Sequence, residues 1–113
     1  MQRGSFIVRN ALKYMEDHYS EKLTLSKVAE ETFVSQWHLS KLLNRQEEKN
    51  FSEILNQIRV EHAKELMKEK AYRIADIAEL VGFTDVAHFS RVFKKLEGIS
   101  ANEYRNTRIS LSE

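Results

Sequence analysis

The 113-residue sequence contains no cysteine and no proline, and it has only three glycines. The absence of cysteine excludes disulfide bonds, thiolate metal sites and cysteine nucleophiles. Because proline and glycine are the residues that most often interrupt helices, their scarcity favours an almost purely helical fold. No apolar run approaches the ~20 residues needed to span a bilayer, and no secretory signal is visible. We therefore expect an all-α, cytoplasmic protein without a membrane partner.

The formal net charge is only +1, so the overall charge says little about a partner. The distribution of charge is more informative, because two segments are basic and the stretch between them is acidic. Segment 35–46 has no acid, segment 85–96 has only Asp85, and together they carry Lys41, Arg45, Arg91, Lys94 and Lys95. Acids gather instead in residues 47–69. A basic surface with an acidic back is typical of proteins that orient on DNA.

Residues 74–95 have the pattern of a helix-turn-helix. Ile74, Ile77 and Ala78 follow the spacing of one helix face, and Gly82 can end that helix in a left-handed conformation. A second periodic run begins at Val86, directly after residues that can cap a helix. In such a motif the second helix lies in the DNA major groove. The alternative is a helical hairpin that only builds the core.

The same pattern occurs a second time, in residues 25–45. The two copies align by residue type on both faces, although one residue is inserted in the turn of the later copy: Leu25 with Ile74, Val28 with Ile77, Ala29 with Ala78, Leu39 with Phe89, Ser40 with Ser90, Lys41 with Arg91, and Leu43 with Phe93. A chance origin is hard to reconcile with two such units in one small chain. The repeat therefore favours the DNA-binding interpretation.

The remaining segments complete an organisation of about seven helices. Residues 1–5 are set aside as a leader or cloning remnant, and 6–48 form the first helix-turn-helix subdomain. Residues 49–70 form a connecting helix, 71–108 the second subdomain and 109–113 a tail. About 18 residues at ~1.5 Å each give the connecting helix roughly 27 Å. Since successive major grooves on one DNA face are ~34 Å apart, it can serve as a rigid spacer between two recognition helices.

Both copies resemble the DNA-binding domain of AraC/XylS-type transcription regulators. The family pattern I-x-x-I-A-x-x-x-G-F-x-x-x-x-x-F-x-R-x-F-K appears as Ile74, Ile77, Ala78, Gly82, Phe83, Phe89, Arg91, Phe93 and Lys94. The closing G-x-S-x-x-x-Y-R appears as Gly98, Ser100, Tyr104 and Arg105, so the resemblance covers roughly residues 7–105. Two positions depart from the pattern: Glu48 stands where the family usually has Gly, and Ala101 where it usually has Pro.

The candidate site consists of residues on the polar sides of the two recognition helices. The residues expected at base edges are Gln36, Trp37, Ser40 and Lys41 in the first copy, and Val86, Ala87, Ser90 and Arg91 in the second. The residues expected at phosphates are Ser35, Asn44 and Arg45, and Thr84, His88, Lys94 and Lys95. Lys and Arg typically bind guanine O6 and N7. A Trp on a polar face is unusual, and the alternative for Trp37 is a place at the edge of the core.

The expected function is sequence-specific binding of double-stranded DNA by two recognition helices in successive major grooves, regulating bacterial transcription. RNA polymerase is expected as a further partner, and the resemblance implies an N-terminal sensing or receiver domain in a larger parent protein. A free-standing small activator remains the alternative to a fragment. The contrasting function is a helical protein-interaction module that contacts RNA polymerase without reading DNA. The sequence shows no catalytic, metal-ligand or phosphate-loop pattern, so we expect no enzyme, metal or cofactor.

Overall fold

The computed structural model describes residues 3–109, and every regular element in that range is helical. The helices are α1 (Arg3–His18), α2 (Leu25–Glu31), α3 (Gln36–Glu47), α4 (Phe51–Leu66), α5 (Ile74–Leu80), α6 (Val86–Glu97) and α7 (Ala101–Tyr104). A π-helical segment, Arg105–Ile109, continues α7. The prediction of an all-α fold with about seven helices is confirmed. Within the described range, no helix combines the length and apolar character required to cross a membrane.

The chain forms two compact units, unit 1 up to Leu55 and unit 2 from Asn56 onward. The division falls inside α4, within the predicted connecting segment 49–70. Side chains of α4 are buried on each side of the division, Ile54 and Leu55 before it and Val60 and Ala63 after it. The helix also ends at Leu66, four residues earlier than predicted.

Unit 1 is built on three helices that pack pairwise, α1, α2 and α3. Its core side chains recur at helical spacing and are almost fully buried: Val8, Ala11, Met15, Val28, Ala29, Leu39, Leu42 and Leu43. Helix α1 begins at Arg3, so residues 3–5, set aside as a leader in the sequence analysis, are helical. A Cβ on Gly4 would lie 2.9 Å from Leu42 Cδ2. The absence of a side chain at Gly4 thus lets this end of α1 approach α3 closely.

Unit 2 is built around aromatic side chains contributed by α6 and its neighbours. The ring centroids of Phe83 and Phe89 lie 5.3 Å apart, those of Phe89 and Phe93 5.8 Å, and those of Phe93 and Tyr104 5.5 Å. These separations and tilts are the ones that aromatic pairs favour. Because α6 supplies two of the rings, its orientation about its own axis is fixed by the core.

A long-range cap ends α4. The Arg105 guanidinium donates from Nε to the Met67 carbonyl at 3.1 Å and from Nη2 to the Glu69 carbonyl at 2.9 Å. These carbonyls lie just past the end of a helix, where backbone acceptors lack intrahelical partners and a cation suits the helix dipole. The contact holds the backbone directly after α4, and no local sequence signal reveals it.

Side-chain caps begin several of the helices. Each cap oxygen accepts a backbone N–H two or three residues later: Thr24 from Lys27, Ser35 from His38, Asp85 from Ala87, and Ser100 from Glu103. The cap at Asp85 is the one that the sequence predicted before Val86. At α4, Asn50 and Glu53 form a reciprocal capping box, with distances of 2.9 and 2.8 Å. The starts of the recognition helices are therefore set by local chemistry.

The end of α3 has the same backbone conformation as the end of α6, although Glu48 stands at the position where α6 has Gly98. Glu48 adopts the left-handed conformation (φ 57°), as Gly98 does at the end of α6 (φ 85°). In both, the backbone N–H donates back into the helix, to Asn44 at 3.1 Å and to Lys94 at 2.8 Å. A residue with a Cβ pays roughly 1–2 kcal/mol for this conformation. Unit 1 thus carries a local conformational cost that unit 2 avoids.

Replacing Glu48 with glycine should stabilise unit 1 by about 1 kcal/mol, because glycine adopts the left-handed conformation without a Cβ clash. Urea denaturation followed by circular dichroism measures the change. Glu48→Ala removes the same charge but keeps the Cβ, so it should give little of this gain. Glu47→Gly, one residue earlier and inside α3, should instead destabilise by about 1 kcal/mol. Equal stabilisation by alanine and glycine at position 48 would attribute the effect to charge and refute the backbone explanation.

A partly buried charge cluster lies on unit 2, between α4 and α6. Lys64 Nζ lies 2.9 Å from Glu61 Oε2 and 3.2 Å from Glu97 Oε2. Partial burial lowers the pKa of Lys64, but the hydrogen bonds and charges of Glu61 and Glu97 outweigh it, and the net shift is upward. Because the pKa is raised in the folded state, the cluster stabilises the fold fully below the ordinary value of 10.5 and loses that effect as pH rises through the folded value.

Lys64→Met should therefore destabilise unit 2 by about 1–2 kcal/mol at neutral pH, since Glu97 is left partly buried without its cation. The difference from the parent chain should shrink in denaturation curves recorded above pH 10.5. Lys68→Met removes an exposed pair with Glu65 and should cost less than about 0.5 kcal/mol. If the two substitutions cost the same, or if the Lys64 effect persists unchanged at high pH, the cluster does not stabilise the fold in this way.

Candidate nucleic-acid interface

The two predicted helix-turn-helix motifs are α2–α3 in unit 1 and α5–α6 in unit 2. In each motif a 7-residue helix is followed by a 12-residue helix. The turns are closed by equivalent backbone bonds, from Val34 N–H to the Ala29 carbonyl (3.1 Å) and from Phe83 N–H to the Ala78 carbonyl (2.9 Å). Helix α3 begins 11 residues after α2 begins, and α6 begins 12 residues after α5, since the starts are Leu25, Gln36, Ile74 and Val86. The insertion predicted in the second turn is confirmed.

The second helix of each motif is held by buried side chains four residues apart. Leu39 and Leu43 are fully buried in unit 1, and Phe89 and Phe93 occupy the corresponding positions in unit 2. Residues at i and i+4 lie on one face of a helix, so each recognition helix turns that face inward. The opposite face, here called the outward face, is thereby left to solvent.

On α3 the outward face contains the side chains that the sequence pattern assigned to DNA. Gln36, Trp37, Lys41, Asn44 and Arg45 are exposed and Ser40 is half-buried, while Ser35 caps the helix. Trp37 is 70% exposed, so the alternative that placed it at the edge of the core is wrong. One amide N–H of Asn44 donates to the Ser40 carbonyl at 2.8 Å, which leaves its other polar positions for a ligand.

On α6 the outward face is assembled in the same way. Its exposed members are Val86, Ala87, His88, Ser90, Arg91, Lys94 and Lys95, with Thr84 exposed in the turn before the helix. His88 also packs edge-on against Phe83, with ring centroids 5.4 Å apart. This contact sets one side of the ring against the edge of the core, while the residue as a whole stays exposed.

The cations of the outward faces differ from four lysines elsewhere in the chain. Those four pair with acids: Lys13 with Asp17, Lys27 with Glu31, Lys64 with Glu97, and Lys68 with Glu65. Within residues 3–109, no ion pair is formed by Lys41, Arg45, Arg91, Lys94 or Lys95. Of the nearby acids, Glu97 pairs with Lys64, and Asp85 accepts the Ala87 N–H as a cap. Among the described residues, both outward faces therefore present positive charge that no acid neutralises through an ion pair.

Phe33 is a conspicuous residue that the sequence pattern did not single out. It lies in the turn before α3, is 94% exposed and has a left-handed backbone (φ 60°). Gly82 fills the equivalent position in unit 2 with φ 105°. The alignment of the two turns is the signal that could have revealed the strained backbone, because it pairs a phenylalanine with a glycine.

Arg59 occupies a structural position and not an outward face. Its guanidinium carbon lies 5.6 Å from the centre of the Phe83 ring, and burial lowers the pKa of the group. A guanidinium over an aromatic face is a stabilising arrangement. In the described part of the chain, no group of three or more potential metal-ligating side chains occurs. The outward faces of α3 and α6 are thus the chemically distinctive surfaces of the two units.

Comparison with known proteins relates both motifs to one family. A family model described as a helix-turn-helix domain matches residues 28–107. The chain is 41% identical to the C-terminal domain of AraT, a response regulator from Geobacillus stearothermophilus, with a TM-score of 0.87 and coverage of 96% of this chain and 90% of that one. It is 25% identical to an AraC-type transcriptional regulator from Chromobacterium violaceum, with a TM-score of 0.86 and coverage of 95% and 96%.

Curated relatives give the same result. The transcriptional regulator YijO of Escherichia coli K12 is 36% identical over 92 residues, which is 81% of this chain and 32% of YijO. YisR of Bacillus subtilis 168 is 33% identical over 95 residues, 84% of this chain and 33% of YisR. The chain thus spans about one third of the length of these relatives. The chain belongs to the AraC-type helix-turn-helix family, whose members are DNA-binding transcription regulators and not enzymes.

Proposed function

We propose that α3 and α6 read one double-stranded DNA site together, each recognition helix entering one of two successive major grooves. The observation that carries the proposal is the set of five cations on the two outward faces that form no ion pair within residues 3–109, whereas Lys13, Lys27 and Lys68 are paired. A cation that releases counterions on meeting a phosphate contributes affinity without any partner in its own chain. Since the two readers belong to one chain and differ in residues, the site should be asymmetric.

The residues divide into two roles by their place on the helix. Gln36, Trp37, Ser40 and Lys41 on α3, and Val86, Ala87, Ser90 and Arg91 on α6, are proposed to meet base edges. Ser35, Asn44 and Arg45, and Thr84, His88, Lys94 and Lys95, are proposed to contact phosphates and set the register. Arg91 can bind guanine O6 and N7 with two parallel hydrogen bonds, and Lys41 supplies a point charge to the same atoms.

The proposed setting is a larger bacterial regulator acting in the cytoplasm. Two structural neighbours are C-terminal domains of response regulators, and the chain spans about one third of its curated relatives. Both observations support a parent protein in which a sensing or receiver domain precedes this one. RNA polymerase is proposed as the partner through which DNA binding changes transcription. The alternative is a module that contacts the polymerase without reading DNA. The exposed outward faces do not favour it, because such a module would leave the unpaired cations without a role.

The charge-reversal pair Lys41→Glu with Arg91→Glu tests the proposal. Each lost base contact costs about 1–3 kcal/mol, so the two together should lower affinity for a selected site by about 30-fold or more, as measured by fluorescence anisotropy. Lys13→Glu with Lys68→Glu makes the same charge change, one residue in each unit, at exposed and paired positions. This control should change affinity only slightly. Equal losses in both pairs would mean that binding depends on net charge and not on the outward faces.

Selection from a randomised duplex pool tests the tandem arrangement. Two short motifs about 10–10.5 base pairs apart, in fixed relative orientation, should be enriched. Arg45→Ala and Lys94→Ala should each flatten the dependence of log affinity on log salt by about 0.9, the contribution of one phosphate contact. A single enriched motif would show that one unit reads little. The absence of enrichment and of salt dependence would favour the interaction module.

A further inference from the structure

The outward face of α3 contains an internal contact between two of its proposed base readers. Lys41 Nζ lies 4.4 Å from the centroid of the Trp37 ring, within the distance at which an ammonium is attracted to an aromatic face. The two residues are four apart on one helix, so their side chains lie on the same face. Trp37 is 70% exposed, so the packing of the core does not account for its orientation.

The repeat shows what each unit has at these positions. Since α3 starts at Gln36 and α6 at Val86, Trp37 corresponds to Ala87 and Lys41 to Arg91. Unit 2 therefore has an arginine and no aromatic ring, and unit 1 has a lysine with a ring four residues before it. A guanidinium is a planar, pre-organised fork, whereas an ammonium is a point charge on a flexible four-carbon stem. The lysine is the side chain of the two that needs an external group to orient it.

We propose that Trp37 is a positioning residue for Lys41, holding the ammonium over its ring so that the charge is already in place when α3 meets a base. The inference rests on the proposed function, because it assumes that α3 enters the groove. The N–H donors of the ammonium that do not face the ring remain available to a purine edge. The indole contributes apolar surface beside it, which suits a thymine methyl. The two side chains then read a guanine next to a thymine as one element.

The contribution of the pair follows from the known range of such contacts. An exposed ammonium–ring contact corresponds to about a two- to fivefold change in an equilibrium constant, and a desolvated one to roughly thirtyfold. Because DNA in the groove removes water from the pair, the effect on binding should lie between these limits. Unit 2 should show no such dependence at Ala87.

The first test uses the free protein. Trp37 is the only tryptophan of the chain, so its fluorescence and its ring-current effects report on one site. In NMR spectra the ε-methylene protons of Lys41 should be shifted upfield, and W37L should abolish that shift. Lys41→Met should change the Trp37 emission, whereas Lys13→Met should leave it unchanged. Unshifted Lys41 protons in the parent chain would overturn the proposal without touching DNA binding.

The second test is a double-mutant cycle on DNA. Affinities of the parent chain, W37L, K41M and the double variant are measured on the selected site and on a site with the guanine under α3 replaced. W37L should lower guanine discrimination about five- to thirtyfold in the parent background, and it should have little effect in the K41M background. Lys41→Arg should restore discrimination to W37L, because the arginine fork needs no ring, as in unit 2.

The outcomes separate this inference from the function on which it rests. Equal losses from W37L in both backgrounds would show that Trp37 acts only through its own DNA contact, which overturns the positioning role while α3 remains a reader. Failure of K41R to rescue W37L would overturn it as well. If the parent chain selects no sequence although the Lys41 shift is present, the proposed function itself fails and the inference fails with it.

Discussion

The burial of two side chains four residues apart on each recognition helix is the constraint on which the rest of the structure depends. Leu39 and Leu43 in unit 1, and Phe89 and Phe93 in unit 2, fix the roll of α3 and α6 about their own axes. A shift of one residue in this register would rotate the helix by about 100° and carry the proposed readers away from the open side. The caps at Ser35 and Asp85 fix the other coordinate, the point at which each helix starts. Roll and start together determine which side chains reach a ligand.

Charge pairing, more than net charge, distinguishes the two kinds of surface in this chain. A formal charge of +1 conceals a division in which Lys13, Lys27, Lys64 and Lys68 pair with acids, and the cations on the outward faces of α3 and α6 form no ion pair among the described residues. Paired surface ions contribute little to stability and present little field to solvent. Unpaired ones raise the local potential where a polyanion would bind. The fold thus concentrates a modest charge where a DNA ligand can use it.

The sequence predicted the helices, the caps, the inserted turn residue and the outward faces, because each depends on spacing or on contacts within a few residues. What it missed depends on contacts between distant residues. Gly4 permits α1 to approach Leu42 closely, and the carbonyls just past the end of α4 are capped by Arg105, which lies 36 and 38 residues from its two acceptors. Glu48 is left-handed against its own propensity, and the sequence marks this position only through the resemblance, which has Gly there. The roles of the proposed site residues toward DNA could not be predicted in the same way, because contacts within the chain do not decide which outward side chain meets a base and which meets a phosphate.

The duplicated scaffold explains how the two readers could diverge. The inward residues of α3 and α6 carry the packing energy, so they are restricted to apolar types at fixed positions. The outward residues contribute little to stability, because substitutions at exposed positions usually change it by less than about 0.5 kcal/mol. Equivalent helices therefore carry chemically different pairs, Trp37 with Lys41 on α3 and Ala87 with Arg91 on α6. The α3 pair combines an aromatic ring with an ammonium, and the α6 pair combines a small methyl side chain with a planar guanidinium. If both helices read DNA as proposed, the site should be asymmetric, because equivalent helices with different side chains on their outward faces cannot recognise two identical half-sites equally well.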